Sequence, residues 1–183
     1  MARGNKKVIV DFMKSIKEDP LRYYYIQSNL KKLINDGVDI STQGNGGNTL
    51  LHLAVSLENK KLLAMFIKAK VLLDLANDNG ETPLHKAVSK GNIDIIKLLI
   101  KSGCDINCPR EMEQTPLHLA VICGRIEIVK LLVDSGADIL VADELNNLPI
   151  DYAIDECDVE MIKYFLSKQI VDEKRLDRIS KVL

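Results

Sequence analysis

This 183-residue chain has no tryptophan, and aromatic residues make up only 4% of it. Its core must therefore come from Leu, Ile, Val and Ala, which suits small units stacked closely. Net charge is missing as well. Lys and Arg total 25 against 26 Asp and Glu, a formal balance of −1, so no global field favours nucleic acid or an anionic membrane. No stretch approaches the ~18 apolar residues a membrane-spanning helix needs. The basic start Met1-Ala2-Arg3-Gly4-Asn5-Lys6-Lys7 leads into Val8-Ile9-Val10-Asp11-Phe12. That run is broken by Asp11 and then by Lys14 and Lys17, so it is not a signal-peptide core. No N-x-[S/T] sequon occurs, which argues weakly against secretion.

The enzymatic signatures are also missing. There is no G-x-x-x-x-G-K-[ST], no H-E-x-x-H, no G-x-S-x-G and no kinase set. No catalytic or cofactor-binding residue is assigned, and the chain is not expected to be an enzyme. Cys104-x3-Cys108 has metal-like spacing, but no histidine pair has zinc-finger spacing to complete it. Cys104, Cys108, Cys123 and Cys157 are expected to be reduced thiols in the cytoplasm and/or nucleus, with no metal.

What the chain does have is a period. Thr82-Pro83-Leu84-His85-Lys86-Ala87 returns 33 residues later as Thr115-Pro116-Leu117-His118-Leu119-Ala120. The same step backwards finds Thr49-Leu50-Leu51-His52-Leu53-Ala54, and forwards Leu148-Pro149-Ile150-Asp151-Tyr152-Ala153. A fixed period of about this length marks stacked repeats. Thr at the cap, Pro at the first helical position and a glycine after each helix predict pairs of short helices. On the segment Ile93–Lys101, Asp94, Lys97 and Lys101 form a single solvent stripe. The remaining residues, Ile93 included, are apolar, as expected of a helix pressed between neighbours.

The T-P-L-H-x-A pattern at this period resembles the ankyrin repeat over roughly residues 30–169. The resemblance implies an all-α solenoid, a stack of helix-turn-helix units with β-turn or hairpin connections. It divides the chain into residues 1–43, an N-terminal helical cap with a degenerate first repeat; 44–76, 77–109, 110–142 and 143–169, repeats two to five; and 170–183, a capping helix or a solvated tail. In the cap, residues 5–18 form one amphipathic helix. Asp19 caps a second and Pro20 opens it, Leu30, Leu33 and Ile34 face the core, and Gly37 ends it. Val171, Leu176, Ile179 and Val182 or Leu183 would give the last helix its apolar face. In this family the repeated Thr and His bond each other and the neighbouring turn, so His52, His85 and His118 are read as structural. Asp151, in the histidine position, lies in the first helical turn, where a carboxylate accepts free N–H groups.

The resemblance also implies that turn tips and first helices receive partners. The matching positions are Thr42, Gln43, Asn45 and Asn48 for repeat two, and Asp78, Asn79, Glu81, Ser89 and Lys90 for repeat three. For repeat four they are Glu111, Met112, Gln114, Ile122 and Cys123; for repeat five, Glu144, Leu145, Asn147, Asp155 and Glu156. Met112, Ile122 and Leu145 are apolar where solvent is expected, either as an exposed hot spot or as residues partly covered by adjacent turns. Asp143, Glu144, Asp155, Glu156, Asp158 and Glu160 form either a plain solvated surface or a charge-selective rim. Lys97, Lys101, Arg125 and Lys130 fall on second helices without interleaved aromatics, so no nucleic-acid platform is expected. The expected partner is another protein, bound by a monomer acting as an inhibitor or regulator. The alternatives are an adaptor, such as a ubiquitin-ligase substrate adaptor, or a regulatory fragment of a larger enzyme.

Overall fold

Polar turns interrupt the chain at regular intervals, and the helices between them come in pairs. The structure is a computed structural model and describes residues 2–168 and 173–183; Val171 lies outside them. Eleven α-helices occur among these residues, and no strand. The connections expected as hairpins are closed turns: Gly44 N–H to Asn48 O (2.8 Å), Asn77 to Glu81, Arg110 to Gln114 and Asp143 to Asn147 (2.9 Å each). One bond per turn is too little for a ladder.

The helices form two compact units, one ending at Asp105 and one beginning at Ile106. The division falls inside the 77–109 segment. In the first unit, α1 (Ala2–Glu18) buries Ile9, Phe12, Met13 and Ile16, a stripe at i, i+3, i+4 and i+7. α2 begins at Tyr23 and runs to Asn35. It does not start at Pro20, because the Asp19 carboxylate accepts from Leu21 N–H (3.2 Å) and holds Asp19–Arg22 as a turn. Ile26 and Leu30 are buried on α2, but Leu33 is only half-buried and Ile34 is 44% exposed. Burial thus stops short of the last turn, where the sequence placed both in the core.

α3 (Leu50–Ser56) pairs with α4 (Lys60–Lys68), and α5 (Pro83–Lys90) with α6 (Ile93–Lys101). First helix packs on first helix, α3 on α5, and second on second, α4 on α6. Asn59 and Asn92 cap the second helices by accepting from Leu62 and Ile95 N–H (3.1 Å each). α6 buries Ile95, Ile96 and Leu99, each burial contributing about 1.5–3 kcal/mol. Ile93, expected in that apolar set, is exposed at the helix's first position. Where α5 stops on Gly91 (φ 78°), α3 and α4 end beside Glu58 (φ 50°) and Lys70 (φ 61°), side chains in the same left-handed conformation.

In the second unit, α7 (Pro116–Ile122) pairs with α8 (Ile126–Asp134), α9 (Pro149–Asp155) with α10 (Val159–Ser167), and α7 packs on α9. Leu117, Ala120, Val129, Leu132, Ile150, Met161 and Phe165 fill the space between them. α11 (Glu173–Ser180) lies against α9 and contributes the buried Ile179. Among the described residues no helix is long and apolar enough to cross a membrane.

Candidate functional site

The first helices are held by a repeated neutral contact. Thr49, Thr82 and Thr115 cap α3, α5 and α7. In each case the Thr hydroxyl lies 2.9 Å from Nδ1 of the histidine three residues on. The Thr backbone N–H donates to the same nitrogen. Nδ1 is therefore an acceptor, and the proton belongs on Nε2, which in His52 and His118 donates to a carbonyl of the next repeat. His52 reaches Glu81 O (2.8 Å) and His118 reaches Asn147 O (3.1 Å). Burial lowers the pKa of both imidazoles, with the carbonyl bond opposing it. His52 and His118 are thus neutral struts with both nitrogens occupied.

The turns come in two kinds, decided by their first residue. Asn77 and Asp143 open two of them, and each Oδ1 accepts two backbone N–H groups. Those donors are Asn79 and Glu81 (3.0 Å each), and Leu145 and Asn147 (2.9 Å each). Such turns need one left-handed residue, Gly80 (φ 70°) or Asn146 (φ 61°). Gly44 and Arg110 open the other two and offer no such acceptor. There two successive residues are left-handed: Gly46 and Gly47 (φ 66° and 67°), and Met112 and Glu113 (φ 59° and 54°). The Gly46 and Met112 carbonyls then accept from the following turn, at Asp78 N–H (3.1 Å) and Glu144 N–H (3.0 Å). Gly47 is obligatory, because a Cβ there would sit 2.5 Å from Asp78 N. Met112 has no such excuse. An L-residue in this conformation costs about 1–2 kcal/mol.

The expected binding residues separate by burial. Asn45, Asp78, Asn79, Ser89, Lys90, Glu111, Met112, Ile122, Cys123, Glu144, Leu145, Asp155 and Glu156 are exposed. Thr42, Gln43, Asn48, Glu81 and Asn147 are half-buried, and the last two lend their carbonyls to the histidines. Gln43 uses its amide on Gly47 O and Ala76 O. Gln114 is buried, contrary to expectation. Its Nε2 donates to Tyr152 Oη (2.9 Å), and its Oε1 accepts from Arg110 Nη2 (2.8 Å). Met112 is 44% and Leu145 63% exposed on tips joined through Glu144 N–H. Ile122, at 41%, ends α7, so the seven-residue helix, about 10 Å long, stands between it and that pair.

Two acids expected on the surface are structural. Asp143 is buried and accepts from Tyr152 Oη. Burial works to raise its carboxyl, but the bonds from Tyr152, Asn147 and Leu145 outweigh that and hold it below the ordinary carboxylate range. Burial and the same bond push the Tyr152 phenol up. Asp158 is half-buried and caps α10 through Met161 N–H (3.0 Å). Tyr152 was not singled out in the sequence, yet it joins the two turns of the second unit and meets the His118 ring edge-on at 6.1 Å.

Asp151 performs the task given to it and a second one. Its Oδ2 accepts from Leu148 N–H (2.9 Å), replacing half of the Thr–His cap. It also receives Arg175 Nη2 (2.7 Å) and Arg178 Nη1 (2.6 Å) from α11 while only 2% exposed. Arg178 reaches on to Asp155 (2.6 Å), so that candidate binding residue is already engaged. All four cysteines are free thiols, and no cluster that could hold a metal ion occurs among the described residues.

A family model described as ankyrin repeats (3 copies) matches residues 23–110 and again 103–175. No curated protein matches the sequence.

Proposed function

The chain belongs to the ankyrin-repeat family, whose repeats are generally protein–protein interaction modules, and from that premise we propose that it regulates a partner protein by occupying its surface. The reading rests on one observation above others. Met112 is held in a strained left-handed turn with its side chain in solvent, beside the exposed Leu145 of the adjoining tip. Strain of this kind collects at binding sites, and the turn that passes Met112 O to Glu144 N–H also leaves the Met112 side chain in solvent. Glu111 and Glu144 flank the pair and would select a partner segment with basic residues around an apolar one. The buried links below, Gln114 to Tyr152 to Asp143, hold the tips rigid before binding and so reduce the ordering cost of association. A cytoplasmic or nuclear setting fits the four free thiols.

Met112→Gly separates folding from function. Glycine relieves the turn, so stability against urea should hold or rise by about 1 kcal/mol. Combined with Leu145→Glu, it should cost at least ~2 kcal/mol of partner binding, about thirtyfold in Kd. Affinity capture from the native cell, followed by titration of the recovered partner, reads this out. A fold that survives with partner affinity unchanged overturns the proposal.

A further inference from the structure

In the first unit a cavity of about 140 Å³ opens between α1, the Asn45–Asn48 turn and the first helices α3 and α5. Its apolar wall is Val10 and Met13 of α1 with Leu53 of α3. Lys14 and Lys17 of α1 and Lys86 of α5 surround it, and Asn45 and Asn48 add side-chain amides. On α1, Val10, Met13, Lys14 and Lys17 fall at i, i+3, i+4 and i+7, so one helical face supplies both the apolar wall and two of the charges. No carboxylate lines the cavity. Asp11 approaches Lys14 from outside at 4.0 Å, with both side chains well exposed, which screens that charge little. Lys17 and Lys86 have no ion-pair partner among the described residues.

We infer that this cavity takes an acidic segment of a partner protein, seating one apolar side chain against Val10, Met13 and Leu53 while flanking carboxylates meet Lys14, Lys17 and Lys86. The inference rests on the protein-binding reading and specifies the chemistry of one contact. Size sets the count at one side chain, since a cavity of roughly 150 Å³ holds about one benzene ring. Charge sets the sign of the flanks. A nucleic-acid strand would ask for aromatic platforms on which to stack bases, and the lining has none.

The test uses the full chain, ¹⁵N-labelled, titrated with an acetylated and amidated peptide of one leucine between two pairs of glutamates. Saturable shifts should cluster at residues 10–17, 45–56 and 86. Lys17→Glu with Lys86→Glu, two substitutions outside the core, should weaken binding about tenfold or more, as should 0.5 M salt. Val10→Phe, which fills the cavity and leaves the charges, should also weaken it. Replacing the peptide's leucine by alanine should lower affinity several-fold. Equal binding of a peptide with lysines for glutamates, shifts confined to other residues, or affinity untouched in the double variant would overturn the inference. So would a single-stranded oligonucleotide that displaces the peptide at lower concentration. Shifts appearing only at residues 111–114 and 144–147 would overturn the cavity while leaving the Met112–Leu145 proposal standing. Binding at the cavity by a chain carrying Met112→Gly and Leu145→Glu would establish the cavity independently of that pair.

Discussion

α7 and α9 occupy the same place in successive repeats of one unit, and their third residues hold them by opposite means. In α7 the neutral His118 takes the Thr115 N–H and gives its own proton to Asn147 O. In α9 the Asp151 side chain takes the Leu148 N–H and is clamped by two guanidinium groups. The difference follows from what lies beyond each helix. α7 is followed by another turn with a carbonyl to offer, and burial keeps the imidazole that donates to it neutral. α9 is followed by α10 and then by α11, which presents arginines. A buried carboxylate is tolerable only with partners close enough to offset its lost hydration. The same backbone position thus takes its side chain from its neighbour.

The largest effect should come from breaking the ionic side of this pair. Asp151→Ala leaves Arg175, whose side chain is 17% exposed, without its carboxylate. Removing one partner of a buried ion pair costs about 3–5 kcal/mol, and the more exposed Arg178, which keeps Asp155, argues for the lower end. Urea denaturation should show the loss, and amide exchange should place it first in residues 173–180. Replacing both arginines by leucine in the Asp151→Ala background should recover part of it. A loss below ~1 kcal/mol would mean that α11 is held by Ile179 rather than by charge.

A smaller effect tests the neutral side. His52 and His118 titrate below the ordinary histidine value of 6.5 in the folded chain because burial disfavours the charged ring. As pH falls, the unfolded chain therefore takes up protons first. The stabilisation is whole above about pH 6.5 and is lost progressively as pH drops through that value towards the folded-state pKa. Urea midpoints should accordingly decrease from pH 7.5 to 5.5. His118→Asn should flatten the slope in proportion to that ring's share. An unchanged midpoint over this range would show that the rings protonate without leaving their places.

The period made the fold legible, because Thr-x-x-His with a following glycine fixes helix start, register and stop from local chemistry. The family resemblance it carries implied the role of the histidines, and the first-turn position implied the capping half of Asp151. The arginines that complete Asp151 come from a segment outside the period, 24 and 27 residues further on, where no spacing rule links them. Asp143 reads as one more surface acid in the sequence because its burial depends on Tyr152, nine residues away. A signal for that pair existed. Tyr152 stands 33, 66 and 99 residues after Leu119, Lys86 and Leu53, a first-helix position whose chemistry changes from repeat to repeat. Gln114 reads as a tip residue for the same reason, being buried only where the next repeat carries that tyrosine. The lysine-rimmed cavity was equally invisible, since α1 lies outside the repeat and Lys86 meets it only in three dimensions.

The smallest effect concerns the turns that end the two compared helices. α7 is followed by Gly124 (φ 63°) and α9 by Cys157 (φ 55°), nearly the same left-handed backbone with and without a Cβ. Glycine adopts that conformation freely, whereas a side chain pays a steric penalty, offset in part by the greater freedom glycine gives the unfolded chain. Cys157 is exposed, so its side chain has little packing to lose. Cys157→Gly should therefore raise stability by about 0.5–1 kcal/mol, and Gly124→Ala should lower it by a similar amount, since nothing stands within 4 Å of the added Cβ and only backbone strain acts. Paired urea titrations of the two variants isolate that strain from packing. If Cys157→Gly destabilises the chain instead, the thiol makes a contribution at the α9–α10 corner that conformation alone does not account for.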